Sequence, residues 1–155
     1  MVGFGAIAWA TPDPVMTLLQ SRFPAERPVW KEEDGHASVT ILRRDPRFTS
    51  APSNRLYING MHQASDEPGM VAYHRIIGTL PLAVHPEPRK ALVIGAGGGA
   101  TPGAVAAFSR DLDVDVVELS RAVLHAADQF STSTSVCSND PTSGSASTTA
   151  ATTCC

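Results

Sequence analysis

Cysteine is missing from the whole of the central segment, Val29 to Phe130. That fits a reducing compartment and excludes a disulfide framework there. The three cysteines, Cys137, Cys154 and Cys155, lie in the last 25 residues with no framework spacing and no companion histidine. They make neither a zinc site nor a disulfide scaffold, and no metal is expected. Basic charge is also short: 12 Lys and Arg against 15 Asp and Glu, a net charge of −3, leave no basic surface for nucleic acid or an anionic membrane. No apolar run reaches the ~20 residues that span a bilayer. The uncharged amino end, Met1 to Ala10, is too short for that and lacks the basic start of a secretory signal. No internal repeat is visible. Charge nearly vanishes after Phe130, where 14 of 25 residues are Ser or Thr and Asp140 is the one charged side chain.

What is present suffices for one core: 43% of residues are apolar and 17% charged. The amino end reads either as a segment packing on the domain or as the last turns of a membrane helix cut off upstream. Asp13 suits a helix cap and Pro14 a first helical position, opening a short helix with Val15, Leu18 and Leu19 that ends before Pro24. Strands are expected from Trp30 to Ser65. Ala37–Leu42 is β-branched, and Arg55–Ile58, Asn59-Gly60 and Met61–Ala64 read as a hairpin with a type I′ turn. From Gly69 the period becomes helical, with Met70, Tyr73, Ile76, Ile77 and Leu80 on one face. Pro81 or the Pro86/Pro88 pair ends that helix. Ala91–Ile94 reads as a buried parallel strand, Pro102–Phe108 as a helix, Asp113–Glu118 as a second strand, and Ser120 as the cap of a last helix to about Phe130. This is an α/β chain: a β-hairpin subdomain, then the opening of a doubly wound, Rossmann-like sheet with two of its parallel strands. The expected divisions are residues 1–28 (an apolar, proline-containing lead), 29–66 (hairpin subdomain), 67–130 (incomplete nucleoside-binding domain) and 131–155 (a disordered Ser/Thr-rich tail).

The chemistry gathers at Ile94-Gly95-Ala96-Gly97-Gly98-Gly99-Ala100, which fits G-x-G-x-x-A between a strand and a helix. Gly95 allows the tight turn, Gly97 lets a ligand approach the backbone, and Ala100 lets helix and strand pack closely. Glu118 ends the next strand, where an acid accepts hydrogen bonds from ribose hydroxyls. This pattern points to a nucleoside and leaves open a dinucleotide oxidoreductase, an S-adenosylmethionine-dependent methyltransferase and a relative of the latter.

The flanks narrow the choice. Leu56-Tyr57-Ile58-Asn59-Gly60-Met61-His62-Gln63-Ala64-Ser65-Asp66 resembles the L-x-[LI]-[DN]-G-x-x-Q-x-S hairpin of the spermidine synthases. Tyr73-His74, Leu80-Pro81-Leu82, His85–Lys90 and Ala91–Ala100 follow in that family's order, so the resemblance covers roughly residues 30–130. It implies a methyltransferase-type fold binding decarboxylated S-adenosylmethionine as co-substrate, and aminopropyl transfer to a small diamine in polyamine biosynthesis. By resemblance, Gln63 and the loop Gly95, Gly97, Gly98 and Gly99 touch the nucleoside, Glu118 holds its ribose, and Tyr73 and His74 border the amine. The resemblance further implies a cytoplasmic homo-oligomer, or a place on the cytoplasmic face of a membrane through a lost upstream segment, as in long members with a membrane bundle. Two departures stand out. Gly98 occupies the place of the aspartate in the family's G-G-G-D-G-G loop. The family's catalytic aspartate follows a later strand, so no catalytic residue is assigned, and the chain is expected to be inactive as it stands or to be a non-catalytic fragment.

The tail invites one more reading. Read one base out of frame, Ser codons place T in the middle position, encoding apolar residues, and Thr codons place A, encoding polar ones. A permitted choice of third bases from Ser131 ends in DDGRNYLL, which resembles the family's segment after its third sheet strand. A frameshift is therefore the expected origin of the tail, against a natural Ser/Thr-rich linker.

Overall fold

The computed structural model describes residues 13–48, 53–130 and 151–154. The readings made above for Met1–Ala10, and for the tail apart from 151–154, lie outside the described residues. Helix α1, Pro14–Arg22, starts where Asp13 Oδ1 accepts the N–H groups of Val15 (2.9 Å) and Met16 (3.1 Å). The second carboxylate oxygen of Asp13 pairs with Lys31, joining the cap to the sheet beneath. Leu19 is buried against Leu42 and Tyr57, with Val15 and Phe23 packed alongside, whereas Leu18 faces outward.

Four antiparallel strands follow in the spatial order of the chain: β1 Glu26–Glu33, β2 Ser38–Arg44, β3 Ser53–Ile58 and β4 Met61–Ser65. Strand β1 starts ahead of both Trp30 and the expected boundary at Val29. It is an edge strand, and its register shifts between Pro28 and Trp30, where a proline that cannot donate to the ladder is tolerated. Asn59 (φ 51°) and Gly60 (φ 78°) both lie in the left-handed region, as the type I′ reading requires. A second register shift, between Leu56 and Tyr57, displaces Gln63 from the simple alternation of β4.

Helix α2 spans Pro68–Val84, so it runs through Pro81 and stops before the Pro86/Pro88 pair. The periodic apolar residues do not mark its buried side. Tyr73 is 58% exposed, and Ile76, Ile77 and Leu80 are exposed too, while Val71, Gly78 and Leu82 are buried. Gly78 explains the choice of face: a Cβ there would stand 2.9 Å from the Thr101 carbonyl oxygen and 3.0 Å from Val105 Cγ2. Helix α3, Ala100–Ala106, crosses α2 at this closest approach.

Strands β5 (Lys90–Ile94) and β6 (Asp113–Val117) pair in parallel, Lys90 opposite Asp113 and Ile94 opposite Val117. A third strand, β7 (Ala151–Cys154), lies antiparallel on the far side of β6, where sequence reading expected none. Val93, Val114 and Val116 point to one side and pack with Leu82, Val105 and Leu112. The opposite side leaves Leu92 and Ile94 exposed, and among the described residues β5 has a free edge. Helix α4 (Arg121–Ala127) leaves β6 and packs on the first sheet: Ala122, Val123, Ala126 and then Phe130 share a core with Val39, Ile41, Leu56 and Ala64. The two sheets are thereby joined into an α/β structure with an antiparallel hairpin layer and an incomplete methyltransferase-type sheet.

Candidate nucleoside-binding site

The loop after β5 is shaped by its glycines. Gly95 (φ 94°) and Gly97 (φ 52°) hold conformations that an L side chain resists, and Gly99 (φ 82°) begins α3. Gly95 N–H donates to the Val117 carbonyl (2.8 Å), fixing the loop to the end of β6. Glu118 then closes the turn from the other side. Its Oε2 accepts from Ala96 N–H (2.9 Å), and its Oε1 accepts from Leu119 N–H (2.8 Å) and Ser120 N–H (3.0 Å). The carboxylate expected at a strand end is thus a brace between the glycine loop and the start of α4.

A cavity of about 340 Å³ opens beside this loop. Gly95, Gly97, Gly98 and Glu118 form one side, Gln63, Ala64 and Ser65 of the hairpin another, and His74, Ile77 and Thr101 a third. Six of the eight expected site residues therefore meet at one place: Gln63, His74, Gly95, Gly97, Gly98 and Glu118. Gly99 acts one step back, at the start of α3. Tyr73 is outside the lining, turned to the surface with its ring edge-on to His74 at 5.6 Å between centroids. Sequence reading missed Thr101, whose hydroxyl donates to the His74 carbonyl (3.1 Å) and lies 3.5 Å from His74 Nδ1. Among the described residues, His74 Nε2 is buried without a hydrogen-bond partner. The signal for Thr101 was its place directly after Ala100, in the first turn behind the glycine loop.

The hairpin layer is tied to this site through Asp34. Its Oδ2 accepts from the Ser120 hydroxyl (2.8 Å) and Ala122 N–H (3.1 Å), while its Oδ1 accepts from His36 N–H (2.8 Å) and Ala37 N–H (2.9 Å). These donors, led by His36 N–H, hold its carboxyl well below the ordinary value of 3.8. A depressed carboxylate adds stability that is complete above that ordinary value and is lost as pH falls toward the folded one. Asp34→Asn should therefore flatten the acid limb of the thermal midpoint measured between pH 5 and pH 2, and leave its shape near neutrality unchanged.

Other titratable groups serve the framework. Arg55 bridges Glu26 (3.0 Å) and Glu67 (2.8 Å), and Tyr57 donates to Glu26 (3.0 Å), with burial first and the neighbouring carboxylate second pushing the phenol up to about 12. Among the described residues, no three His, Cys, Asp or Glu side chains group as a metal site, and no helix is long and apolar enough to cross a membrane.

The family model of the spermine/spermidine synthase domain matches residues 70–146. That match takes in α2 from its third residue, the glycine loop and Glu118, and runs beyond Phe130. A polyamine aminopropyltransferase of Methanocaldococcus jannaschii is 29% identical over 102 residues, 66% of this chain and 33% of that protein. A spermidine synthase of Coffea arabica is 28% identical over 139 residues, 84% of this chain and 44% of that one. The chain thus spans between a third and under half of the length of these curated relatives. The fold resembles a crystal structure of a spermidine synthase in complex with the transition-state analogue AdoDATO, with a TM-score of 0.56 and 21% identity, over 67% of this chain and 33% of that one. The glycine loop and the glutamate that follows β6 lie within the residues that the family model matches, and the hairpin that meets them at the cavity lies just ahead of those residues. These matches place residues 70–146 of the chain with the spermine/spermidine synthase domain family.

Proposed function

We propose that this chain forms the nucleoside side of an aminopropyltransferase site, taking decarboxylated S-adenosylmethionine as co-substrate for transfer to a small diamine. The observation that carries this reading is the meeting of Gln63, His74, the glycine loop and Glu118 around one cavity at the carboxyl ends of β5 and β6, where open α/β sheets bind their ligands. In the transfer, a diamine nitrogen attacks the aminopropyl carbon bonded to sulfur. The C–N bond forms, the C–S bond breaks, sulfur keeps the electron pair as the thioether of 5′-methylthioadenosine, and the nitrogen releases a proton.

This chain's residues bind and orient. Gly95 and Gly97 let the nucleoside lie against bare backbone. Glu118 already accepts three N–H groups, so of its roughly four acceptor positions about one remains for a ribose hydroxyl. Gln63 offers an amide from the hairpin, and His74, with Tyr73 edge-on behind it, borders the side from which an amine would arrive. None of the described residues is given the role of base. By the same likeness the parent enzyme is proposed to be a cytoplasmic homo-oligomer.

Calorimetry with decarboxylated S-adenosylmethionine, 5′-methylthioadenosine, S-adenosylmethionine and NAD tests the reading. The expected result is binding of the first two at micromolar concentration, about −8 kcal/mol, with NAD at least tenfold weaker. Preference for NAD, or binding of none of the four, would overturn it. Tightest binding of S-adenosylmethionine would move the assignment to a methyltransferase.

A further inference from the structure

The charge inventory of the cavity says which nucleoside it suits. Among the described residues, Glu118 is the one acid in its lining, and both of its oxygens are engaged by backbone N–H groups. The acids that follow the hairpin wall are committed elsewhere: Asp66 accepts Asn54 N–H, and Glu67 pairs with Arg55 and Arg44. Outside the described residues the sequence adds a single acid, Asp140.

Gly98 closes the remaining route. A Cβ there would stand 3.1 Å from Ala64 Cβ and 3.7 Å from the Phe130 ring, so a carboxylate side chain at that position requires Ala64 to give way by a few tenths of an ångström. The other walls include Ile58, Ile77 and Ile94, which suit an apolar group. A ligand that carries a sulfonium and an ammonium would surrender hydration here with the Glu118 carboxylate, already engaged by three N–H groups, as the single counter-charge, which costs binding. A neutral thioether would surrender little.

We infer that this cavity selects a nucleoside with an uncharged 5′-thioether over one with a cationic aminopropyl arm, and that Gly98, packed on Ala64, is the residue that sets the preference. The inference rests on the nucleoside reading above and deepens it. It makes the chain a better receptor for the leaving product of the transfer than for the donor.

The test is calorimetry on the purified chain with 5′-methylthioadenosine and decarboxylated S-adenosylmethionine separately, at low and high salt. The expected result is that the neutral nucleoside binds about tenfold more tightly, a difference of one decade in Kd, with little dependence on salt. Tighter binding of the cation overturns the inference and leaves the nucleoside site standing, whereas binding of neither removes both. In a second arm, Gly98→Asp combined with Ala64→Gly, which opens the space for the new side chain, should shift the ratio of the two affinities toward the cation by about tenfold or more through a close charge pair. An unchanged ratio in a folded double variant also overturns it. If that variant does not fold, the comparison on the unaltered chain decides.

Discussion

Gly78→Val should lower stability by about 3 kcal/mol, the upper part of the range for overpacking a core, and the thermal midpoint with it by about 6–12 °C at roughly 2–4 °C per kcal/mol for a chain of this length. The cause is steric and local. The nearest obstacle to a Cβ is the Thr101 carbonyl oxygen at 2.9 Å, a backbone atom that cannot swing aside, and the next is Val105 Cγ2 at 3.0 Å. Helix α2 would have to lift from α3, uncovering Leu82 and Val105, which pack in one cluster with Val93 and Val114. A control fixes the sign. Gly103, in α3, has nothing within 4 Å of the place a Cβ would take. Gly103→Ala should therefore stabilise by about 0.5–1 kcal/mol through the ordinary helix preference for alanine. Thermal unfolding of the two variants beside the parent chain reads both. Equal shifts of one sign would show that the helix contact is not what Gly78 supplies.

Glu118→Ala should weaken nucleoside binding by about 100-fold or more, since each hydrogen bond to a charged group contributes ~1.5–3 kcal/mol and this side chain carries three. The loss comes through shape as well as contact. Without Oε2 the Ala96 N–H has no acceptor from Glu118, and the glycine loop is released from the end of β6. Without Oε1 the turn into α4 loses two donors' partner. Glu118→Gln keeps an acceptor oxygen but sets an amide N–H against one of these donors, so it should fall between alanine and the parent. Calorimetric affinities give the order. Faster hydrogen exchange at Ala96, Leu119 and Ser120 in the variant would trace the loss to the loop, while unchanged exchange there would assign Glu118 to the ligand alone.

The glycine loop and the hairpin were legible because their residue types answer a backbone demand directly. Asn59-Gly60 and Gly95, Gly97 and Gly99 all sit at positive φ, where few other residues are comfortable. Asp13 and Ser120 were legible for a related reason, since a short polar side chain before a helical run has a donor waiting for it. Strand β1 was less so: Glu26, Arg27, Lys31, Glu32 and Glu33 hide its period, and an edge strand needs no apolar alternation on its open side. The period of α2 was read correctly, but the apolar face was not the buried one. Helix crossing is governed at Gly78 by how near two backbones come, and a hydrophobic pattern does not report that. Tyr73 falls on the same exposed face and so missed the cavity, while His74, one position on, reached it. Strand β7 was invisible because Ala151–Cys154 is short and lies in a Ser/Thr-rich stretch whose composition resembles a linker.

The tie between Asp34 and Ser120 has a mechanical meaning. Glu118 holds the loop that faces the cavity, and Ser120, two positions later, holds the hairpin layer that supplies Gln63 and Ala64 to the opposite wall. The width of the cleft is therefore set by a strut of three residues, anchored at one end to each sheet. A ligand drawn between the walls loads that strut in compression or tension, so occupancy should be felt at the tip of the β1–β2 hairpin, on a surface the ligand never touches.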